Sequence, residues 1–429
     1  MKITAQLLFL WIGIAAICAA QTQNKLSLTE ALKMGLQKSE DIKIAQQNLK
    51  MAQLDNNKGN AGYFPNVSLL LQQQNQYSHP NLSTYFVNQT YTQNVLTPAL
   101  QAQWTVFNGG KNKAMLQQLY LNQQMAQNDL SIQEQEIIRS IVKKYYTALA
   151  EQEKVNILKK IYNLSSRQYD LYQQRQQRGQ TSRYETLLTE QNYRSDELSL
   201  RLQTLNYQKA MADLCTEIGS IANADTYTLS DNLLSNAPKQ YRFESPKSQN
   251  PLQKKWQLNT KLSGQNTLLA KSKLYPSISF NAGSTFLFNN TRFKEAASIN
   301  GSNFDMYLNA SINMPLYNGG QIKRGIEKAQ IQENIAKLME QQAGRQLSAE
   351  LKNKIEQYNQ LLSLLTLNEQ NNNTLKSAMQ LAEQRLQAGL SDLTEVRNLQ
   401  INQLQSQLKY IDLLLEVKIL EADIEYLNN

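Results

Sequence analysis

Apolar residues recur along this chain in two rhythms. In one the spacing is seven: Ile141, Ala148, Val155, Tyr162 and Tyr169, with Leu158 and Tyr172 between them. Leu351, Tyr358, Leu365, Asn372, Met379 and Leu386 repeat that spacing, and Leu198, Leu202, Leu205 and Leu404, Leu408, Ile411, Leu415 follow in two later stretches. A seven-residue repeat keeps one seam facing a partner helix and gives a left-handed coiled coil. The breakers agree. All eight prolines lie at Pro65, Pro80, Pro98, Pro238, Pro246, Pro251, Pro276 and Pro315, and residues 111–178 also lack Gly. Pro costs about 3 kcal/mol in a helix interior and Gly about 1 kcal/mol. The pattern therefore predicts helices over 111–178 and 180–218, reversing at Gly179, and over 321–388 and 390–427, reversing at Gly389. At about 1.5 Å per residue the first would span roughly 100 Å. Gly325 and Gly344 weaken the upper part of its counterpart.

The second rhythm has period two. Over 305–316, Met306, Leu308, Ala310, Ile312, Met314 and Leu316 alternate with Asp305, Tyr307, Asn309, Ser311 and Asn313. Leu100, Ala102, Trp104 and Val106 alternate with Gln101, Gln103 and Thr105. Ser277–Phe288 alternates too, and 66–74 does so less cleanly because Leu69-Leu70-Leu71 interrupts it. Strands of about 9–12 residues with one apolar and one small polar face suit a barrel wall between lipid and water. That wall makes Gln101, Gln103, Asn309, Ser311 and Asn313 lumen-facing. Phe64, Phe107, Tyr275 and Tyr317 stand at strand ends, as an aromatic girdle at one membrane interface would. The polar stretches 79–95 and 289–303 would be loops at the other rim.

The two rhythms occur twice. Asn108-Gly109-Gly110 recurs as Asn318-Gly319-Gly320, Arg175-x-x-x-Gly179 as Arg385-x-x-x-Gly389, and Ala212-Asp213 as Ala422-Asp423, each 210 residues on; Phe64-Pro65 recurs as Tyr275-Pro276. Repeats matched in order at one spacing indicate a duplicated unit. The expected organisation is a signal peptide at 1–20, a first repeat at 21–219, a linker at 220–250 and a second repeat at 251–429. Lys2, the apolar run Leu7–Ile17 and Cys18-Ala19-Ala20 carry the signal reading, with cleavage before Gln21.

Composition narrows the chemistry. There are 53 Gln and 43 Asn among 429 residues, with charged residues at only 18%. One His (His79) and two Cys (Cys18, Cys215) leave no His/Cys metal cage, and no nucleophile, base and acid converge, so no enzyme, cofactor or metal is expected. The net charge of +9 comes from scattered Lys doublets without stacking aromatics, which does not describe a nucleic-acid patch.

With these residues in place, the chain resembles the TolC-type outer-membrane efflux proteins over essentially all of 26–427. The signal peptide, the 210-residue repeat, strand pairs ending in Phe107-Asn108-Gly109-Gly110 and Tyr317-Asn318-Gly319-Gly320, and the Arg-x-x-x-Gly tips carry the resemblance. It implies an α+β membrane protein: a homotrimer giving four strands per chain to one transmembrane β-barrel, continued by an α-helical coiled-coil tunnel through the periplasm. It implies a passive exit duct in outer-membrane lipid for efflux or type I secretion. The partners would be a periplasmic adaptor and an inner-membrane transporter. Arg175, Gly179, Arg385 and Gly389 would sit at the adaptor-facing tips, and Gly109, Gly110, Gly319 and Gly320 at strand-to-helix turns. Family members often carry aspartates before the second tip; here 371–377 has none. A trimeric coiled-coil structural or adhesin protein of the envelope explains the heptads but not strand pairs alternating with hairpins.

Overall fold

The structure, a computed structural model, describes residues 24–79, 90–220, 227–233, 239–243, 250–388, 390 and 392–428. The expected signal peptide, Gly389 and parts of the 220–250 linker lie outside them. The elements run β1 (Asn24–Leu26), α1 (Leu28–Lys38), α2 (Glu40–Asp55), β2 (Asn66–Ser78), β3 (Tyr91–Asn108), α3 (Lys111–Gln177), α4 (Arg183–Glu217), β4 (Tyr227–Leu229), α5 (Pro251–Ser272), β5 (Ser277–Phe293), β6 (Ile299–Asn313), α6 (Gln321–Gln387) and α7 (Leu393–Asn428). Without internal Pro, α3 and α6 each run unbroken for 67 residues, and Gly325 and Gly344 are absorbed in α6.

Two compact units result. One takes the described parts of 43–132 and 248–347, and the other those of 1–42, 133–247 and 348–429. Each draws on both sequence halves, and in the first of them strands from both halves share one sheet. That antiparallel sheet has the order β2-β3-β5-β6. Its outer strands, β2 and β6, are exposed along nearly their whole length and have no further strand neighbour among the described residues.

Three strand details differ from the sequence pattern. The ladder carries β3, β5 and β6 into both stretches expected to be loops, from Tyr91, through Phe293 and from Ile299. β6 stops at Asn313, the partner of Ser277 where β5 begins, and Pro315 has no N–H to extend it. A bulge between Thr105 and Phe107 makes Val106 the extra residue, so Phe107, not Val106, pairs with Ile278.

In the helical unit, α3 pairs antiparallel with α4, and α6 with α7. Tyr193 meets the rings of Tyr162 and Tyr169 at 5.5 and 5.7 Å, and Tyr358 donates to Glu421 at 3.0 Å. The α3 and α6 heptads supply the core, with Ile141, Ala148, Leu351 and Tyr358 fully buried. Gly35 is there by necessity, since a Cβ on it would come within 2.2 Å of Ile141 Cδ1. Cys215 is a buried core residue. The α4 leucines do not fill a seam: Leu198, Leu202 and Leu205 are 55–60% exposed.

Candidate channel wall and hairpin tips

Cross-strand partners share a face, so the register sorts the sheet. Gln103 pairs with Asn66 and Asn281, and Asn281 with Asn309. Gln101 pairs with Ser68 and Gly283, Ser279 with Ser311, and Ser277 with Asn313. Gln101, Gln103, Asn309, Ser311 and Asn313 thus stand on one face. Hydrogen bonds knit it, Ser279 Oγ to Ser311 Oγ at 2.8 Å and Gln93 Nε2 to Asn289 Oδ1 at 3.1 Å. Asp305 is its one charged side chain. The other face carries Val67, Leu69 and Leu71 on β2, Leu96, Pro98, Leu100, Ala102 and Trp104 on β3, Ile278, Phe280, Ala282, Phe286 and Phe288 on β5, and Phe304, Met306, Leu308, Ala310 and Ile312 on β6. The register also resolves the leucine run: Leu70 faces the polar side, opposite Ala99. Leu69 and Met306 are 77% and 76% exposed, so nothing among the described residues covers them. Phe64, Phe107, Tyr275 and Tyr317 are exposed as well.

The strand-to-helix turns are built from the Asn-Gly-Gly triplets. Gly109, Gly110, Gly319 and Gly320 have φ of +66°, +83°, +62° and +75°, a left-handed pair in each turn. The asparagines have a function the sequence reading missed. Asn108 Oδ1 accepts from the Asn112 N–H at 3.2 Å and Asn318 Oδ1 from the Ile322 N–H at 3.5 Å, closing the open first turns of α3 and α6. A polar Asn three residues before a helix start was the available signal.

At the first tip Gly179 has φ +70° and open space around it. Gln180 N donates to Arg175 O at 2.8 Å and Gly179 N to Gln176 O at 2.9 Å, the Schellman closure of a helix end. The Arg175 guanidinium lies 5.6 Å over the Tyr172 ring. Ser182 then opens α4 with a capping box to Glu185, whose carboxyl is held below its ordinary value by hydrogen bonds from Thr181 and Ser182. At the second tip Leu390 N donates to Arg385 O at 2.8 Å, and Arg385 Nη2 returns to Leu390 O at 3.3 Å. Arg385 therefore satisfies its own turn. Tyr184 and Leu390, beside the tips, are 74% and 70% exposed.

Deeper in the helical unit, Asp423 accepts from Arg139, Lys143 and Lys354 at 2.7, 2.5 and 3.1 Å. Burial alone would raise this carboxyl; the three cationic donors outweigh it and hold it below the ordinary value.

The family model for outer membrane efflux proteins matches residues 31–220 and 247–427. The chain belongs to that family. Its function is the family's, efflux through an outer-membrane channel. Among solved structures it is similar to CusC, at 14% identity and a TM-score of 0.77, covering 94% of this chain and 92% of that one. It is similar to the CmeC outer membrane channel of Campylobacter jejuni, at 15% identity and a TM-score of 0.77, over 93% of this chain and 85% of CmeC. VceC of Vibrio cholerae matches at 16% identity and a TM-score of 0.72, over 94% and 96% of the two chains. At these identities the likeness is one of fold, that of TolC-like channels. No curated protein sequence matches the chain. Among the described residues, no helix is long and apolar enough to cross a membrane.

Proposed function

We propose that three copies of this efflux protein close a twelve-stranded barrel in the outer membrane, and that their helical hairpins form the periplasmic tunnel leading to it. One observation carries this reading: a four-stranded sheet with an apolar face, an amide-lined face and two edges that are unpaired among the described residues. An open edge is not tolerated in lipid. Two chains would supply eight strands, whose interior side chains fill. Three are the fewest that leave a duct. Ten steps along β5, from Ile278 to Phe288, rise about 34 Å. Tilted by about 40–45° they stand about 25 Å tall, the height of an outer-membrane apolar band. The amide face, with Gln101, Gln103, Asn309, Ser311 and Asn313, then lines the lumen.

The 210-residue spacing supports a duplicated origin. One surface cavity is lined by Lys144, Ala210 and Asp213, and another by their counterparts Lys354, Leu420 and Asp423.

The tips at Arg175, Gly179, Arg385 and Gly389 are the docking ring, six per trimer, for a periplasmic adaptor that connects the passive duct to an inner-membrane transporter. Exposed Tyr184 and Leu390 give that contact apolar surface. The test is the purified mature protein: a heat-modifiable trimer from the outer-membrane fraction that conducts in planar bilayers, with cysteines at the tips cross-linking to a co-expressed adaptor. A monomer without conductance sinks the duct, and a conducting trimer without cross-links sinks the docking ring alone.

A further inference from the structure

Just past the apolar rows of the sheet, one line of asparagines crosses all four strands. Asn75 pairs with Asn94, Asn94 with Asn290, and Asn290 with Asn300. They share the face of Leu96 and Phe288, one row in. One row further out stand Tyr77, Thr92 and Arg292. Arg292 is the single charged residue on that face of the four strands, is exposed, and has no side-chain hydrogen bond or ion pair among the described residues.

A cavity of about 500 Å³ opens beside this line; its lining includes Asn94, Asn290 and Asn300, with Gln73 and Ser302, and Leu96 and Phe288 among its apolar members. Asn290 Nδ2 donates to Asn300 Oδ1 at 2.6 Å, while Asn290 Oδ1 is shielded from solvent with no partner among the described residues. A buried acceptor left unpaired is costly, and a donor delivered there removes the cost.

We propose that this rim holds the headgroup of an anionic outer-leaflet glycolipid, an inference that rests on the sheet being the membrane wall. Side-chain amides donate and accept at once, which matches sugar hydroxyls and amide linkages. The planar Arg292 fork matches a phosphate. The apolar rows below, starting with Leu96 and Phe288, receive the acyl chains. A phosphoglyceride supplies the phosphate but few donors for four neutral amides, so the asparagine line favours the sugar headgroup.

The experiment uses the purified, delipidated trimer and reads retained lipid by native mass spectrometry and thermal stability by unfolding. Purified lipid A is compared with phosphatidylglycerol and inorganic phosphate. Lipid A should be retained and raise the unfolding midpoint by several degrees, and Arg292→Gln and Asn290→Ala should each cut retention at least five-fold while the trimer still conducts. An equal effect of phosphatidylglycerol or of inorganic phosphate overturns the assignment. So does undiminished lipid A retention by Arg292→Gln. A wild-type chain that neither trimerises nor conducts removes the wall itself. Conducting trimers that ignore lipid A remove only this site.

Discussion

Arg397, early in α7, grips Asp196 in α4 with both terminal nitrogens, Nη1 to Oδ2 at 3.0 Å and Nη2 to Oδ1 at 2.7 Å. The fork joins the first hairpin to the second, and its side chains are only 13% and 7% exposed. Arg397 Nε is shielded without a partner among the described residues, so the pair is expensive to desolvate. Breaking a buried pair from one side strands a charge and costs about 3–5 kcal/mol, while replacing both partners by apolar groups is often neutral. Arg397→Met and Asp196→Leu should each lower the thermal midpoint followed by circular dichroism, and the double variant should recover most of the loss. Additive losses would show that the fork is not a coupled unit.

Asp423 gives the helical unit a pH dependence of known sign. Its carboxyl lies below the ordinary value when folded. The stability it contributes is therefore present above the unfolded carboxylate range and is lost as pH falls through its lowered folded value. Asp423→Asn should lower the midpoint at pH 7 and flatten the loss of stability on acidification. Melts at descending pH that are parallel for wild type and variant would contradict this.

The long helices were legible because missing Pro reports directly on a backbone that must not break, and 111–178, which lacks Gly as well, differs from α3 by one residue. Strand faces were legible from alternation, since period two is a local property. What failed was set by distant partners. The bulge at Val106 depends on where β5 lies, and Leu70 takes its face from Ala99. The α4 leucines marked an apolar face, but no heptad says whether its cover is the same chain or another. The Asp196–Arg397 fork left no sequence signal, because its members lie 201 residues apart.

The glycines should separate by what surrounds them. A Cβ on Gly109 would lie 2.4 Å from Ser272 O and 2.7 Å from Tyr275 Cβ, whereas Gly179 has nothing within 4 Å. Gly179→Ala therefore faces only left-handed strain, about 1–2 kcal/mol. Gly109→Ala adds overlap with backbone, worth about 1–3 kcal/mol more. Trimer yield after outer-membrane extraction should fall sharply for Gly109→Ala and little for Gly179→Ala. The reverse order would mean that the tip, not the strand-to-helix turn, limits folding.

Ile312 and Asn313 are neighbours in the chain that the register puts on opposite faces, Ile312 beside Ile278 and Asn313 beside Ser277. In a barrel wall the first meets lipid and the second water. Arg on the lipid face costs about 2–4 kcal/mol at the midplane and about 0–1 kcal/mol near the interface. Ile312 lies near the end of β6, so Leu308, four residues further into the strand on the same face, is the stronger probe. Leu308→Arg should depress heat-resistant trimer on gels, Ile312→Arg should do so less, and Asn309→Arg and Asn313→Arg should assemble. The assembled variants should shift ion selectivity toward anions in planar bilayers, because each adds three positive charges to the lumen of a trimer. Equal tolerance of Arg at 308 and 309 would mean that the two faces meet the same solvent, and the wall reading would fall with it.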